Sequence, residues 1–331
     1  MSPLSMIGEF GLIDRIKRGL GSVVRNNSLL LGIGDDAALF KVSKDKICAM
    51  TTDTLVEGTH FDLVYTAFRD LGHKVMAANL SDIAAMGGRP LLAVVSLSLP
   101  PMIKLSDVDA LYSGIKGLAR RYRVAIAGGD IVKSRELSLT ITVIGECDPK
   151  NTGLRSGAKA GDGVLVTGTL GASQAGLELL NSKFETRNSR LVKKHLRPEP
   201  RIKEALLLAS RFRLHGMIDI SDGLAQELNH LARESGTGIV IDQGALPVAG
   251  EAVTAASVLH KDPLDYCLYS GEEYELLFTL PLKKAIVARD LIKKHGTECT
   301  IIGQVITGRG VGMVDASGRT KKLENRGYKH F

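Results

Sequence analysis

Five short acidic segments hold the residues best suited to chemistry: Gly34-Asp35-Asp36, Thr51-Thr52-Asp53-Thr54, Asn79-Leu80-Ser81-Asp82, Gly128-Gly129-Asp130 and Asp219-Ile220-Ser221-Asp222-Gly223. Each sets carboxylates among glycine, serine, threonine or apolar residues rather than among lysines and arginines. Surface ion pairs account poorly for such acids, so their charge needs another partner. Hard divalent cations take oxygen ligands, and magnesium is usually held by a few carboxylates together with the oxygens of a bound phosphate. The pattern points to a polyphosphate site. Any one segment alone reads equally well as turn chemistry or helix capping. Asp82 fits that plain reading least, because Leu71 to Met86 reads as a mostly apolar helix ending at Gly87-Gly88 before Pro90. A carboxylate on or beside a packed face is costly unless a metal, or a donor such as Asn79, compensates it.

The elements that position these acids alternate along the first half of the chain. Ile47 to Thr52 and Leu91 to Leu99 read as strands, and Leu137, Leu139, Ile141 and Val143 alternate with polar residues as in a half-buried strand. Between them, Ser106 with Asp109 forms a capping-box pattern ahead of Val108, Leu111, Ile115, Leu118 and Tyr122 at helical spacing. Val124 to Ala127 is a short strand expected to deliver Gly128-Gly129-Asp130 at its end, where small residues let a ligand approach the backbone. A turn-rich junction from Asp148 to Gly163 separates this half from a second α/β region. There Val164 to Thr167 reads as a strand, and Gly171 to Leu180 and Ile202 to Phe212 as helices. Met217 to Ile220 runs into Ser221, the expected cap of a helix carrying Leu224, Leu228 and Leu231.

Composition narrows the function classes. A chain of 331 residues with 44% hydrophobic content can bury a large core and suggests two domains. No apolar run approaches the roughly 18 residues of a membrane helix. The N-terminus lacks the pattern of a signal peptide. Cys48, Cys147, Cys267 and Cys299 are widely spaced, which argues against a zinc site and a disulfide framework and for reduced core thiols in a cytoplasmic protein. The formal charge of +7 and the basic run from Lys183 to Arg213 come without interleaved aromatics or any tryptophan. A solvated helix face, or a basic rim attracting anionic substrates, is therefore expected in place of nucleic-acid binding.

Read in order, further segments join these: GEFGLI at 8–13, GIGDDAAL at 32–39, TTDTLVEGTHF at 51–61, NLSDIAAMGGRP at 79–90, LRSGAKAGD at 154–162, VTGTLG at 166–171, HLRPEPR at 195–201, DISDGL at 219–224, SGEEYEL at 270–276 and GYKHF at 327–331. With Gly128-Gly129-Asp130, the set closely resembles the thiamine-monophosphate kinase family, in the superfamily of aminoimidazole ribonucleotide synthetase and selenophosphate synthetase. The resemblance covers nearly the whole chain. It implies a two-domain α/β (α+β) fold of the aminoimidazole ribonucleotide synthetase type. Residues 1–148 would form an N-terminal ATP- and metal-binding domain whose four-stranded sheet pairs with its copy in a homodimer, and residues 149–331 a C-terminal α/β domain.

The same resemblance implies ATP-dependent phosphorylation of thiamine monophosphate to thiamine diphosphate by direct γ-phosphoryl transfer. Positions matching Asp36, Thr51, Thr52, Asp53, Asp82, Asp130, Asp219 and Asp222 would surround several Mg2+ ions, directly or through water. Those matching Tyr112, Gly129, Asp130, Arg155 and Ser221 would contact ATP, and those matching His60, Glu272 and Tyr328 the thiamine substrate. Without it, His60 is a loop histidine, Arg155 a linker charge and Tyr328 a tail aromatic, although an aromatic there suits stacking on a cationic ring. The family often has serine at the position of Thr51 and a second glycine at that of Ser270.

The chemistry explains the surplus of carboxylates over bases. A phosphate monoester has a second pKa of about 6, so its oxygen is already anionic at neutral pH and needs no general base. Repulsion between two polyanions is the larger obstacle, met by positioning and by cationic charge. No Walker motif is present, which excludes a P-loop kinase. Two alternatives remain in view: another ATP-dependent enzyme of the superfamily, or a non-catalytic nucleotide-binding module. Against the first, the cysteines stand neither in a glycine-rich N-terminal segment nor at the C-terminus.

Overall fold

The computed structural model describes residues 8–20, 28–31, 39–182 and 189–327. They divide into two compact units, one of the described residues up to 83 together with 89–147, the other of 84–88 together with the described residues from 148 onward.

In the first unit, α1 (Gly8–Leu20), β1 (Leu29–Leu31) and β2 (Leu39–Phe40) precede β3 (Ile47–Val56), α2 (Phe68–Ala85), β4 (Arg89–Leu99), α3 (Leu105–Tyr122), β5 (Ala125–Lys133) and β6 (Ser138–Cys147). β3, β6, β4 and β5 form a four-stranded sheet in that order, antiparallel except for the β4–β5 pair. Side chains alternate across a strand, so β6 buries Leu139, Ile141 and Val143 on the face that α2 approaches through Ile83 while Thr140 and Thr142 face outward. The alternating segments read from the sequence are these strands. Cys48 departs from expectation: its even position on β3 puts it on the open face, exposed, while Cys147, Cys267 and Cys299 are buried.

Two local readings are also corrected. α3 begins at Leu105, and the backbone N–H of Lys104 donates to the Asp107 carboxylate at 2.8 Å, so Asp107 is the capping acid. Asp109 instead pairs with Arg15, at 2.6 and 3.0 Å. Gly128, Gly129 and Asp130 lie within β5, not at its end. A Cβ on Gly129 would stand 1.9 Å from the Val95 carbonyl oxygen of β4, so strand pairing alone demands glycine there.

The second unit contains β7 (Asp162–Thr167), α4 (Ala172–Asn181), α5 (Arg190–Leu196), α6 (Ile202–Arg211), β8 (Gly216–Asp219), α7 (Leu224–Ser235), β9 (Gly238–Asp242), α8 (Gly250–Leu259), α9 (Pro263–Tyr269), β10 (Leu276–Pro281), α10 (Leu282–Lys294), β11 (Cys299–Ile306), β12 (Gly310–Val314) and β13 (Thr320–Lys322). Its seven-stranded sheet runs β13-β12-β9-β11-β7-β10-β8. Val164, Val166, Ile218, Leu224, Leu228, Leu231, Ile239 and Leu277 share its core. Ser221 does not cap α7. Gly223, at φ +116°, holds the N-cap position, and a Cβ there would come within 2.9 Å of the Tyr269 backbone.

Candidate active site

In the first unit, Thr51 and Asp53 are two residues apart on β3 and share its half-buried face. The Thr51 hydroxyl donates to the carboxylate of Asp82 on α2. This pair supplies the partner expected of Asn79, whose amide donates instead to the Val75 carbonyl at 3.0 Å. Thr52 points to the opposite face, where its hydroxyl accepts from Thr142 at 3.0 Å and donates to the Ile141 carbonyl at 3.3 Å. Strand register puts Asp130 in a row with Thr54, Thr140 and Ser96, so it is exposed on the face that carries Thr52. The structure thus joins Thr51 to Asp82 and leaves Asp130 apart from them. Asp36 lies outside the described residues.

Tyr112 is buried in α3, and burial raises its phenol well above the ordinary range. His60 closes the turn after β3, its Nδ1 accepting from the Val56 N–H at 3.1 Å. That bond leaves the neutral ring with its proton on Nε2.

In the second unit, β8 ends on Asp219, which is only 3% exposed, and the turn to α7 carries Ser221 and Asp222. Asp222 accepts from the Gln226 amide at 2.9 Å. Glu227, in the first turn of α7, is equally buried, and its carboxyl is pushed up to about 8 by burial first and then by the charges of Asp219 and Asp222. Arg155 is exposed, and its charge opposes that rise. Glu227 escaped the sequence reading, yet it falls three residues after Leu224 and four before Leu231. An acid on the apolar face of a helix is the signal that finds it.

The segment from Ser270 to Leu276 crosses the end of this turn. The Glu272 N–H donates to the Ser221 carbonyl at 2.7 Å and the Tyr274 N–H to that of Ile220 at 2.8 Å. Contact is so close at Gly271 that a Cβ would lie 2.4 Å from the Ser221 oxygen. Three glutamates of the segment are then held separately. Glu273 Oε1 accepts the backbone N–H groups of Gly171 and Ser173, at 2.8 and 3.0 Å. Glu275, 1% exposed, accepts from Lys194 at 2.7 Å, from two nitrogens of Arg201 at 2.6 Å each, and from the Thr167 hydroxyl at 2.8 Å. Burial pushes its carboxyl up, but Lys194 and Arg201 outweigh burial and hold it below the usual range. Glu272 stands 3.4 Å from Nδ1 of buried His195. The basic run ending at Arg213 is therefore not simply a solvated face, because Lys194 and Arg201 turn inward to Glu275. Tyr328 lies outside the described residues.

Residues 34–147 match the family model of AIR synthase related protein, N-terminal domain, and residues 159–316 that of its C-terminal domain. Over 331 residues, covering 99% of each chain, the sequence is 39% identical to "Thiamine-monophosphate kinase" of Aquifex aeolicus (strain VF5). This chain belongs to the thiamine-monophosphate kinase family.

Solved members of the thiamine-monophosphate kinase family share its architecture. The enzyme from Stenotrophomonas maltophilia K279a superposes with a TM-score of 0.82 at 33% identity, over 95% of this chain and 98% of that one. AaThiL complexed with AMPPCP and TMP superposes with a TM-score of 0.78 at 37% identity, over 100% and 99%. Of the two departures from the usual family residues, Thr51 keeps a hydroxyl and uses it on Asp82. Ser270 adopts an ordinary extended conformation, φ −96° and ψ 136°, which accepts a Cβ without strain.

Proposed function

We propose that this protein transfers the γ-phosphoryl group of ATP to the phosphate of thiamine monophosphate, giving ADP and thiamine diphosphate. The observation that carries this reading is the near full-length relation to thiamine-monophosphate kinases, one of which is solved with an ATP analogue and TMP. The acceptor phosphate is its own nucleophile at neutral pH, so the protein must bind, align and neutralise rather than remove a proton.

Magnesium is the metal this site suits. The donors are hard oxygens throughout, and Asp219, Asp222 and Glu227 are crowded enough that their mutual repulsion is felt. Asp36, Thr51, Asp53, Asp82, Asp219 and Asp222 are the proposed holders, with Thr52 and Asp130, on the other face of the four-stranded sheet, serving a different ion from Thr51 and Asp82; bound magnesium would offset the charge shared by the two phosphates. Tyr112, Gly129, Asp130, Arg155 and Ser221 would bind ATP, and His60, Glu272 and Tyr328 the thiamine moiety. The first unit would supply ATP and metal binding and, through its four-stranded sheet, a homodimer contact. No described helix is long and apolar enough to cross a membrane.

Product analysis with γ-labelled ATP tests the reaction. One ADP and one labelled thiamine diphosphate are expected per turnover, with unphosphorylated thiamine a poor acceptor because its hydroxyl needs a base. Label in inorganic phosphate or on the protein would overturn direct transfer.

A further inference from the structure

Glu272 is presented by a backbone that does not favour its own shape. Its φ is +60° and that of Tyr274 +52°, so two non-glycine residues in a three-residue span adopt the left-handed region. Each such residue costs on the order of 1 kcal/mol or more and persists only where the surroundings over-determine it. Here the bonds to Ser221 and Ile220 fix the main chain, while Gly171 and Ser173 fix Glu273 and the Lys194–Arg201 pair fixes Glu275. All of these bonds act on the flanks of the segment or on its backbone. The Glu272 side chain itself is met by His195, whose Nδ1 lies 3.4 Å from Oε2 and also 3.2 Å from the hydroxyl of buried Ser173. His195 is 3% exposed and comes from α5, the helix that also sends Lys194 to Glu275. A carboxylate facing Nδ1 favours the tautomer that carries its proton there, with the Ser173 hydroxyl oxygen accepting from the same N–H.

We propose that His195 is a positioning residue, which through its Nδ1 aims the Glu272 carboxylate at the thiamine moiety of the acceptor. The proposal rests on the reading of Glu272 as an acceptor contact. A histidine that merely filled the space between α4 and α5 would be indifferent to which ring nitrogen is replaced. A histidine that aims Glu272 would not. Asparagine places an amide nitrogen near the Nδ1 position, whereas glutamine places it near Nε2.

The full-length protein should therefore be compared as parent, Glu272→Gln, His195→Asn, His195→Gln and the His195→Gln/Glu272→Gln double variant, with thiamine monophosphate and ATP varied separately and melting recorded for each. His195→Gln is expected to raise KM for thiamine monophosphate roughly tenfold, the size of coupling usual between side chains in contact, with KM for ATP unchanged. His195→Asn should stay within about threefold of the parent, and the double variant should be no worse than Glu272→Gln alone. Equal effects of Asn and Gln in normally melting proteins, or losses that multiply in the double variant, would overturn the positioning role. If Glu272→Gln raises KM for the acceptor while His195→Gln does not, only the role of His195 falls. If Glu272→Gln leaves that KM unchanged, the acceptor reading itself fails and this proposal with it.

Discussion

Asp82 shows how a single side chain can be costly to place and still be required. It sits on a helix whose neighbours Leu80, Ser81 and Ile83 are buried, and it meets the Thr51 hydroxyl from the adjoining strand. Substituting Asp82→Asn keeps the shape and an oxygen for Thr51 but removes the charge. We expect kcat to fall by roughly 10²-fold or more, the loss seen when one strong electrostatic stabiliser is removed, while the melting temperature stays near that of the parent. Near-full activity across magnesium concentrations in a normally melting Asp82→Asn protein would take this residue out of the metal site. Thr51→Val tests the pair from the other side: activity should drop while Thr51→Ser, the residue common in the family, retains it.

At the scale of elements, the segment Ser270 to Leu276 is a place where the sequence was informative but incomplete. The motif could be recognised, and β3, β4, β6 and α2 were legible because alternation and helical spacing are local signals. The grip on the segment was not legible. Lys194 and Arg201 reach Glu275 across 81 and 74 residues of chain, and only the fold brings them together. The Thr51–Asp82 pair was hidden for the same reason, whereas Glu227 left a readable trace on α7. Removing one partner of a buried ion pair commonly costs about 3–5 kcal/mol, so Glu275→Gln should lower the melting temperature markedly, and a change within experimental error would contradict the burial argued here. Glu273 makes a pH prediction of opposite kind. Burial pushes its carboxyl up to about 7 from an ordinary 4.5, so the folded protein keeps a proton that the unfolded chain releases. That contribution is complete below about 4.5 and is lost as pH rises through 7. Glu273→Gln should therefore resist unfolding better than the parent at pH 8 and lose that advantage at pH 4.5; an equal difference at both would assign the effect to packing.

At the scale of the whole molecule, the four-stranded sheet of the first unit raises the question of assembly. One face is covered by helices. The other presents Met50, Thr52, Thr54, Val94, Ser96, Thr140 and Thr142, an uncharged centre with Met50 73% exposed, flanked by exposed Asp130 at one end and by the Arg89–Glu146 ion pair at the other. Its hydroxyls are already paired across strands, Thr54 with Thr140 at 2.8 Å and Thr142 with Thr52 at 3.0 Å, so the face can lose water without leaving those groups unpartnered. Scarcity of charge is what distinguishes the centre of a protein interface from ordinary surface. The proposed homodimer would cover this face with its copy, and a two-fold contact uses the same patch on both chains, so that residue i of one meets residue j of the other and the reverse. Charge introduced at one position therefore enters the patch twice, and each copy has to be desolvated there. We expect the parent to sediment at twice its 35.5 kDa chain mass and the Met50→Glu/Thr142→Glu variant to shift toward a single chain mass, while the α-helical circular dichroism of both stays alike. A parent that sediments as a single chain at every concentration tested would refute the pairing. A variant that remains dimeric with its helices intact would place the contact elsewhere on the molecule.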